Sequence, residues 1–213
     1  MKALELDETL PDAHVSLGRV QLFYDWDWPG AEKEFRRSLE LNPNLPEAHL
    51  GFARYLAAEG RFDESIEHVR TAYALDPLSI SARFDGIDDF YLSRRYQVTL
   101  DECRKVKELP PDFREPFDVE SFVYARIGRF QEAANAAQMA VVHRQGPIDL
   151  SWAAAAYAES GRKQEARKLL RQLLAEAQNR FVCGYNVAVV YAAWGETDQA
   201  FSWLEEGIKQ RSL

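Results

Sequence analysis

Three aspartates, Asp85, Asp88 and Asp89, crowd into Ile80-Ser-Ala-Arg-Phe-Asp-Gly-Ile-Asp-Asp-Phe90, and Glu115, Asp118 and Glu120 follow downstream. Asp85 and Asp88 are three residues apart, so a helix places them on one face. Paired carboxylates can shuttle protons, hold Ca²⁺ or attract a cation. Catalysis also needs a nucleophile or donors for a developing oxyanion, and helix-borne carboxylates provide neither. A solvated acidic face and a binding patch for a cationic peptide remain the two main readings. The four histidines (His14, His49, His68, His143) form no HxxxH or HExxH pattern. Packing is expected for His14 and His49 rather than a metal or acid–base role. Cys103 and Cys183 lie 80 residues apart and form no CxxC, so neither a disulfide nor a zinc framework is expected. Cys103 reads as a buried, inert thiol. GxSxG, P-loop and GxGxxG motifs are all missing from the sequence. The expectation is a non-enzyme with no catalytic residue, metal or cofactor.

The elements that position these residues belong to a chain of 213 residues, 46% apolar and 28% charged, a globular composition. No stretch approaches the roughly 18 apolar residues of a membrane span. The opening Met-Lys-Ala-Leu-Glu-Leu-Asp-Glu is too acidic for a signal peptide. A net charge of −8 disfavours nucleic acid, which binds through Lys and Arg. Residues 1–120 hold 25 acids and 15 bases, whereas 121–213 hold 9 and 11, so the charge is polarised along the chain.

The sequence repeats itself. Pro11-Asp-Ala-His14 returns as Pro46-Glu-Ala-His49, and Gly60-Arg-Phe-Asp-Glu-Ser65 returns 68 residues later as Gly128-Arg-Phe-Gln-Glu-Ala133. Gly161-Arg-Lys-Gln-Glu-Ala166 and Gly195-Glu-Thr-Asp-Gln-Ala200 are 34 apart. Such a period marks stacked supersecondary units. Each unit reads as two helices, with Gly stopping the first and Pro (Pro43, Pro77, Pro111) stopping the second. Ala31, Ser65, Ala133, Ala166 and Ala200 fall where helices cross closely. The predicted units are 11–45, 46–79, 80–113, 114–146, 147–180 and 181–213, with 1–10 the tail of a preceding second helix.

This pattern resembles the tetratricopeptide repeat. The second unit supplies its small and apolar positions as Phe52, Ala53, Leu56, Ser65, Val69, Ala72 and Pro77; the third, with Ile87, Phe90, Thr99, Cys103 and Val106, is degenerate. The resemblance implies an all-α, right-handed superhelical solenoid of six helix pairs whose first helices line a concave groove. It implies a protein or peptide partner in that groove, contacted by Arg19, Arg54, Phe84, Asp85, Asp88, Tyr91, Asp118, Phe122, Trp152 and Tyr185. Asp118 is expected to face Asp85 and Asp88, with Arg19 and Arg54 holding acidic residues elsewhere on the ligand. Glu120 falls at a normally apolar position, and Arg83 is its expected partner. The Lys/Asn clamp of chaperone-binding relatives is replaced by Val15, Arg19, Leu50 and Arg54.

The segment Leu22–Pro43, with a one-residue insertion and Trp26 and Trp28 beside it, resembles a subgroup of bacterial arrays. Those follow winged-helix, nucleotide cyclase or Ser/Thr kinase domains. The resemblance implies a scaffold or sensory region of a signalling protein, cytoplasmic, or periplasmic within a membrane-anchored regulator. The alternative is a ligand-binding or enzyme-associated domain with a closed small-molecule pocket at the acidic cluster. The chain opens mid-repeat and stops inside a second helix, so it is expected to be part of a longer protein or to self-associate through uncapped ends, exposing Phe201, Leu204 and Ile208. The basic stripe Arg162, Lys163, Arg167, Lys168 and Arg171 reads as a solvated face, because no stacking aromatic accompanies it in sequence.

Overall fold

The computed structural model describes residues 2–108, 116–143, 146–179 and 181–209. Of these, 81% are helical and none is in a strand. Pro111 and Glu115 lie outside the described residues. The chain forms two compact units, Met1–Glu102 and Cys103–Leu213.

The N-terminal unit starts with α1 (Lys2–Leu6), followed by α2 (Pro11–Val20), α3 (Trp28–Leu41), α4 (Pro46–Ala58), α5 (Phe62–Leu75), α6 (Ile80–Leu92) and most of α7 (Tyr96–Lys107). Proline at the first turn of α2 and α4 starts each helix at no hydrogen-bond cost. Asp27 and Ser79 cap α3 and α6 by accepting from Gly30 N and Ala82 N. The C-terminal unit holds α8 (Phe117–Arg126), α9 (Phe130–His143), α10 (Pro147–Glu159), α11 (Lys163–Ala177), α12 (Gly184–Ala193) and α13 (Thr197–Lys209).

Every turn within a pair contains one left-handed residue. Gly60, Gly128, Gly161 and Gly195 take φ of 76–77°, as their sequence spacing predicts. The first and third pairs do the same without glycine: Trp26 has φ 56° and Arg94 φ 57°. The inserted residue of the first pair is absorbed by a π-helical turn, Gln21–Asp25, that extends α2. Small residues sit at the helix crossings as expected: Ala31, Ser65, Ala133 and Ala166 are fully buried, and Ala200 nearly so. The degenerate third pair is equally well built, with Ile87, Phe90 and Thr99 buried. In the N-terminal unit Phe35 packs against the backbone of two first helices. A Cβ placed on Gly51 would stand 2.5 Å from the Phe35 ring, and one on Gly18 2.9 Å.

Three basic side chains tie these pairs together at equivalent positions. His14 Nε2 bonds to the Glu8 carbonyl, His49 Nε2 to the Pro43 carbonyl, and an Arg83 guanidinium nitrogen to the Pro77 carbonyl. Each also meets a residue of its own second helix: His14 Nδ1 lies 2.5 Å from Glu34, His49 Nδ1 2.9 Å from His68 Nδ1, and Arg83 2.8 Å from Glu102. A carbonyl can only accept, so His49 carries its proton on Nε2 when neutral. Its Nδ1 must then accept from His68 Nδ1–H. Burial is the largest influence on His68 and holds its imidazole below the ordinary histidine range; the neighbouring His49 adds to this.

Candidate functional site

Helices α2, α4 and α6 bring first-helix side chains to one cleft of about 240 Å³, lined by Arg19, Phe23, Leu50, Gly51, Arg54 and Asp85. Asp85, Asp88 and Asp89 occupy i, i+3 and i+4 of α6 and therefore share a face. Arg19 approaches Asp85 at 3.7 Å, and Arg54 approaches Asp88 at 3.6 Å. Arg54 also donates to the Asp85 carbonyl at 3.1 Å and places its Nε 3.0 Å from Asp89 Oδ1. Sequence reasoning assigned the arginines and the aspartates to opposite charges on the ligand. The structure joins them in one ion network, three carboxylates to two guanidiniums.

Asp89 is the buried member, 1% exposed. The Arg54 contact is a charge contact without hydrogen-bond geometry, and neither Asp89 oxygen is hydrogen-bonded among the described residues. Burial pushes its carboxyl up to about 7, opposed by Arg54 and reinforced by Asp88 and Asp85. Asp89, named in the aspartate cluster, and Phe23, at a groove-lining position, are outside the expected contact set. Asp89 lies one residue beyond the recognised Asp85/Asp88 pair, and that i+4 spacing to Asp85 was the available signal.

The other candidates are placed differently. Phe84 and Tyr91 are half-buried, and the Tyr91 ring lies against Tyr96 with centroids 6.1 Å apart. In the C-terminal unit Asp118 is buried, with Oδ1 3.0 Å from the Val119 amide. Phe122 and Trp152 meet edge to face at 4.4 Å, whereas Tyr185 is exposed. Glu120 does not pair with Arg83. Lys107 holds it at 2.6 Å from the same unit, and the Lys107 ammonium also lies 5.3 Å from the Phe117 ring centre. Arg83 is instead committed to Glu102, its neighbour in the N-terminal unit, because the second helix of its own pair presents that carboxylate. Among the described residues no group of three or more His, Cys, Asp or Glu converges as a metal site, and no helix is long and apolar enough to cross a membrane.

No family model and no curated protein matches the chain. Solved structures do. TTC0263, a thermophilic TPR protein of Thermus thermophilus, has a TM-score of 0.70 at 20% identity, over 91% of this chain and 100% of its own. PilW, a type IV pilus biogenesis factor, has a TM-score of 0.68 at 17% identity, over 89% of this chain and 86% of its own. Pseudomonas aeruginosa pilF has a TM-score of 0.64 at 19% identity, over 94% of this chain and 90% of its own. The fold is thus the helical-repeat solenoid of tetratricopeptide proteins.

Proposed function

We propose that this chain is a non-catalytic protein-binding module, and that the first-helix face of its N-terminal unit takes up a partner segment carrying a basic residue. The observation that carries this is the arginine–aspartate network. Its outer ion pairs are long, and the Arg19–Asp85 pair is exposed; such a pair is worth about 0–1 kcal/mol, so an incoming ligand can exchange it. Asp85 and Asp88 hold their carboxylates at the outer side of the network, where a ligand cation can compete with Arg19 and Arg54, and exposed Phe23 offers an apolar contact beside it. The same fold is found in YrrB, described as a TPR protein with an unusual peptide-binding site (TM-score 0.54, 12% identity, 96% of each chain). A closed small-molecule site is the weaker reading, because the cleft of about 240 Å³ is below the ~300–1,000 Å³ usual for such pockets. The segment Leu22–Pro43 supports a scaffold or sensory role in a bacterial regulatory protein, which we place in the cytoplasm, or in the periplasm within a membrane-anchored regulator. The test is affinity capture with the wild-type chain and with Asp85→Asn/Asp88→Asn at low and high salt. The double variant is expected to lose the partner that wild type holds at low salt. Recovery of the same partner by the double variant would remove the acidic face from the reading.

A further inference from the structure

Helix α11 presents Arg167, Lys168 and Arg171 along one wall of a cleft of about 1010 Å³. Tyr191 and Trp194, from the end of α12, also line it, with ring centroids 6.4 Å apart, together with Leu170 and Leu174. The aromatics that sequence inspection did not find beside the basic stripe are therefore present, supplied by the next helix. Several other arginines find a carboxylate on or beside their own helix: Arg36 with Glu32, Arg61 with Glu64, Arg129 with Glu132. Arg167, Lys168 and Arg171 have no such ion pair among the described residues; Arg171 Nε reaches only the Arg167 carbonyl, at 3.4 Å. Arg167 and Arg171 are also i,i+4 like charges, which destabilise a helix by roughly 0.2–0.5 kcal/mol. An anionic partner would relieve that repulsion.

We infer that this cleft docks an acidic amphipathic protein segment, with carboxylates on Arg167, Lys168 and Arg171 and an apolar side chain against Tyr191 and Trp194. The chemistry favours protein over nucleic acid. A polyphosphate gains affinity from each cation it meets, yet the cleft offers three cations with the carboxylate of Glu165 among them. Its apolar residues fit a segment that alternates acidic and apolar faces, the helix-in-groove mode of recognition. The site belongs to the C-terminal unit and uses none of the residues of the arginine–aspartate network.

The probe is a fluorescein-labelled helical peptide with Glu on one face and Leu and Phe on the other, followed by fluorescence anisotropy against the full chain. Saturable binding that weakens with salt is expected. Arg167→Glu/Arg171→Glu should raise Kd about tenfold or more, and Trp194→Ala should weaken binding independently of salt. Both charge positions are exposed, so circular dichroism should show the double variant folded. Asp85→Asn/Asp88→Asn should bind this probe as wild type does, which separates the two surfaces. The inference is overturned if no saturable binding occurs, if a Lys-for-Glu version of the peptide binds equally, or if the double reversal leaves Kd unchanged. Preferential binding of oligothymidylate would instead make the cleft a nucleic-acid site and equally overturn it.

Discussion

Arg94 occupies the left-handed turn position that glycine fills in four other pairs. A non-glycine residue there pays roughly 1–2 kcal/mol for the approach of its Cβ to the following carbonyl. Glycine removes that cost but adds backbone freedom to the unfolded chain, worth about 0.4–1 kcal/mol. Arg94 is exposed and makes no ion pair or side-chain hydrogen bond among the described residues, so its removal loses neither. Arg94→Gly is therefore expected to stabilise the protein by about 0.5–1 kcal/mol. The reverse change, Gly128→Ala, places a Cβ in open space at φ 77° and should destabilise by about 1 kcal/mol through strain alone. Urea unfolding monitored by circular dichroism reads both: the midpoint should rise for Arg94→Gly and fall for Gly128→Ala, with the slope unchanged. A fall for Arg94→Gly, or no change for Gly128→Ala, would refute the assignment of a common strained turn. Trp26→Gly supplies the contrast, because relief of the same strain is offset by loss of the contacts of a ring that is only partly exposed.

Gly51→Ala is expected to cost about 1–3 kcal/mol by driving a methyl into Phe35, with partial rescue in the Phe35→Leu background; thermal melts check both. Asp89 and His68 give opposite pH signatures. The Asp89 carboxyl is raised to about 7 in the fold, so its ionisation costs stability at up to ~1.4 kcal/mol per pH unit as pH climbs from about 4 to 7. His68 is lowered, so stability is fully present above the ordinary histidine value of about 6.5 and falls as pH drops below it. Asp89→Asn should abolish the gain on acidification from pH 7 and leave the histidine-driven loss, as read by urea midpoints across that range. Phe201 is 61% exposed and Ile208 48%, so Phe201→Ser/Ile208→Ser should reduce any concentration-dependent association seen by sedimentation velocity.

The helix pairs were legible because they depend on local chemistry repeated at a fixed interval. Gly60, Gly128, Gly161 and Gly195 announce their turns, and the buried Ala and Ser residues announce the crossings. The turns at Trp26 and Arg94 were silent, since neither residue type signals positive φ. The insertion was visible in the spacing, but its resolution as a π-helical turn depends on how α2 continues over its neighbours. The candidate site was half legible. Asp85 and Asp88 share a face by helical periodicity, while their pairing with Arg19 and Arg54 depends on α2, α4 and α6 lying side by side. Arg83 shows the same limit: chain separation did not distinguish Glu102 from Glu120, and packing did. The basic–aromatic cleft was missed because Arg171 and Trp194 are separated by a whole inter-helix connection.

The bonds from His14, His49 and Arg83 to carbonyls six residues upstream act as rivets between one helix pair and the turn that closes the segment before it. In a linear array, such links set how far a local opening spreads, because a pair cannot detach without breaking the rivet at its leading edge. Two of the three rivets are braced by a carboxylate, Glu34 or Glu102, whereas the middle one leans on His68. Protonation of His68, which burial disfavours, puts a charge on the middle rivet, where no carboxylate braces it. Mild acid would therefore loosen the joint between α3 and α4 without separating them, because Phe35 of α3 stays wedged against Gly51 of α4. Amide exchange would register the loosening as protection lost around the Asn42–Leu45 turn while Phe35 and Val69 stay buried.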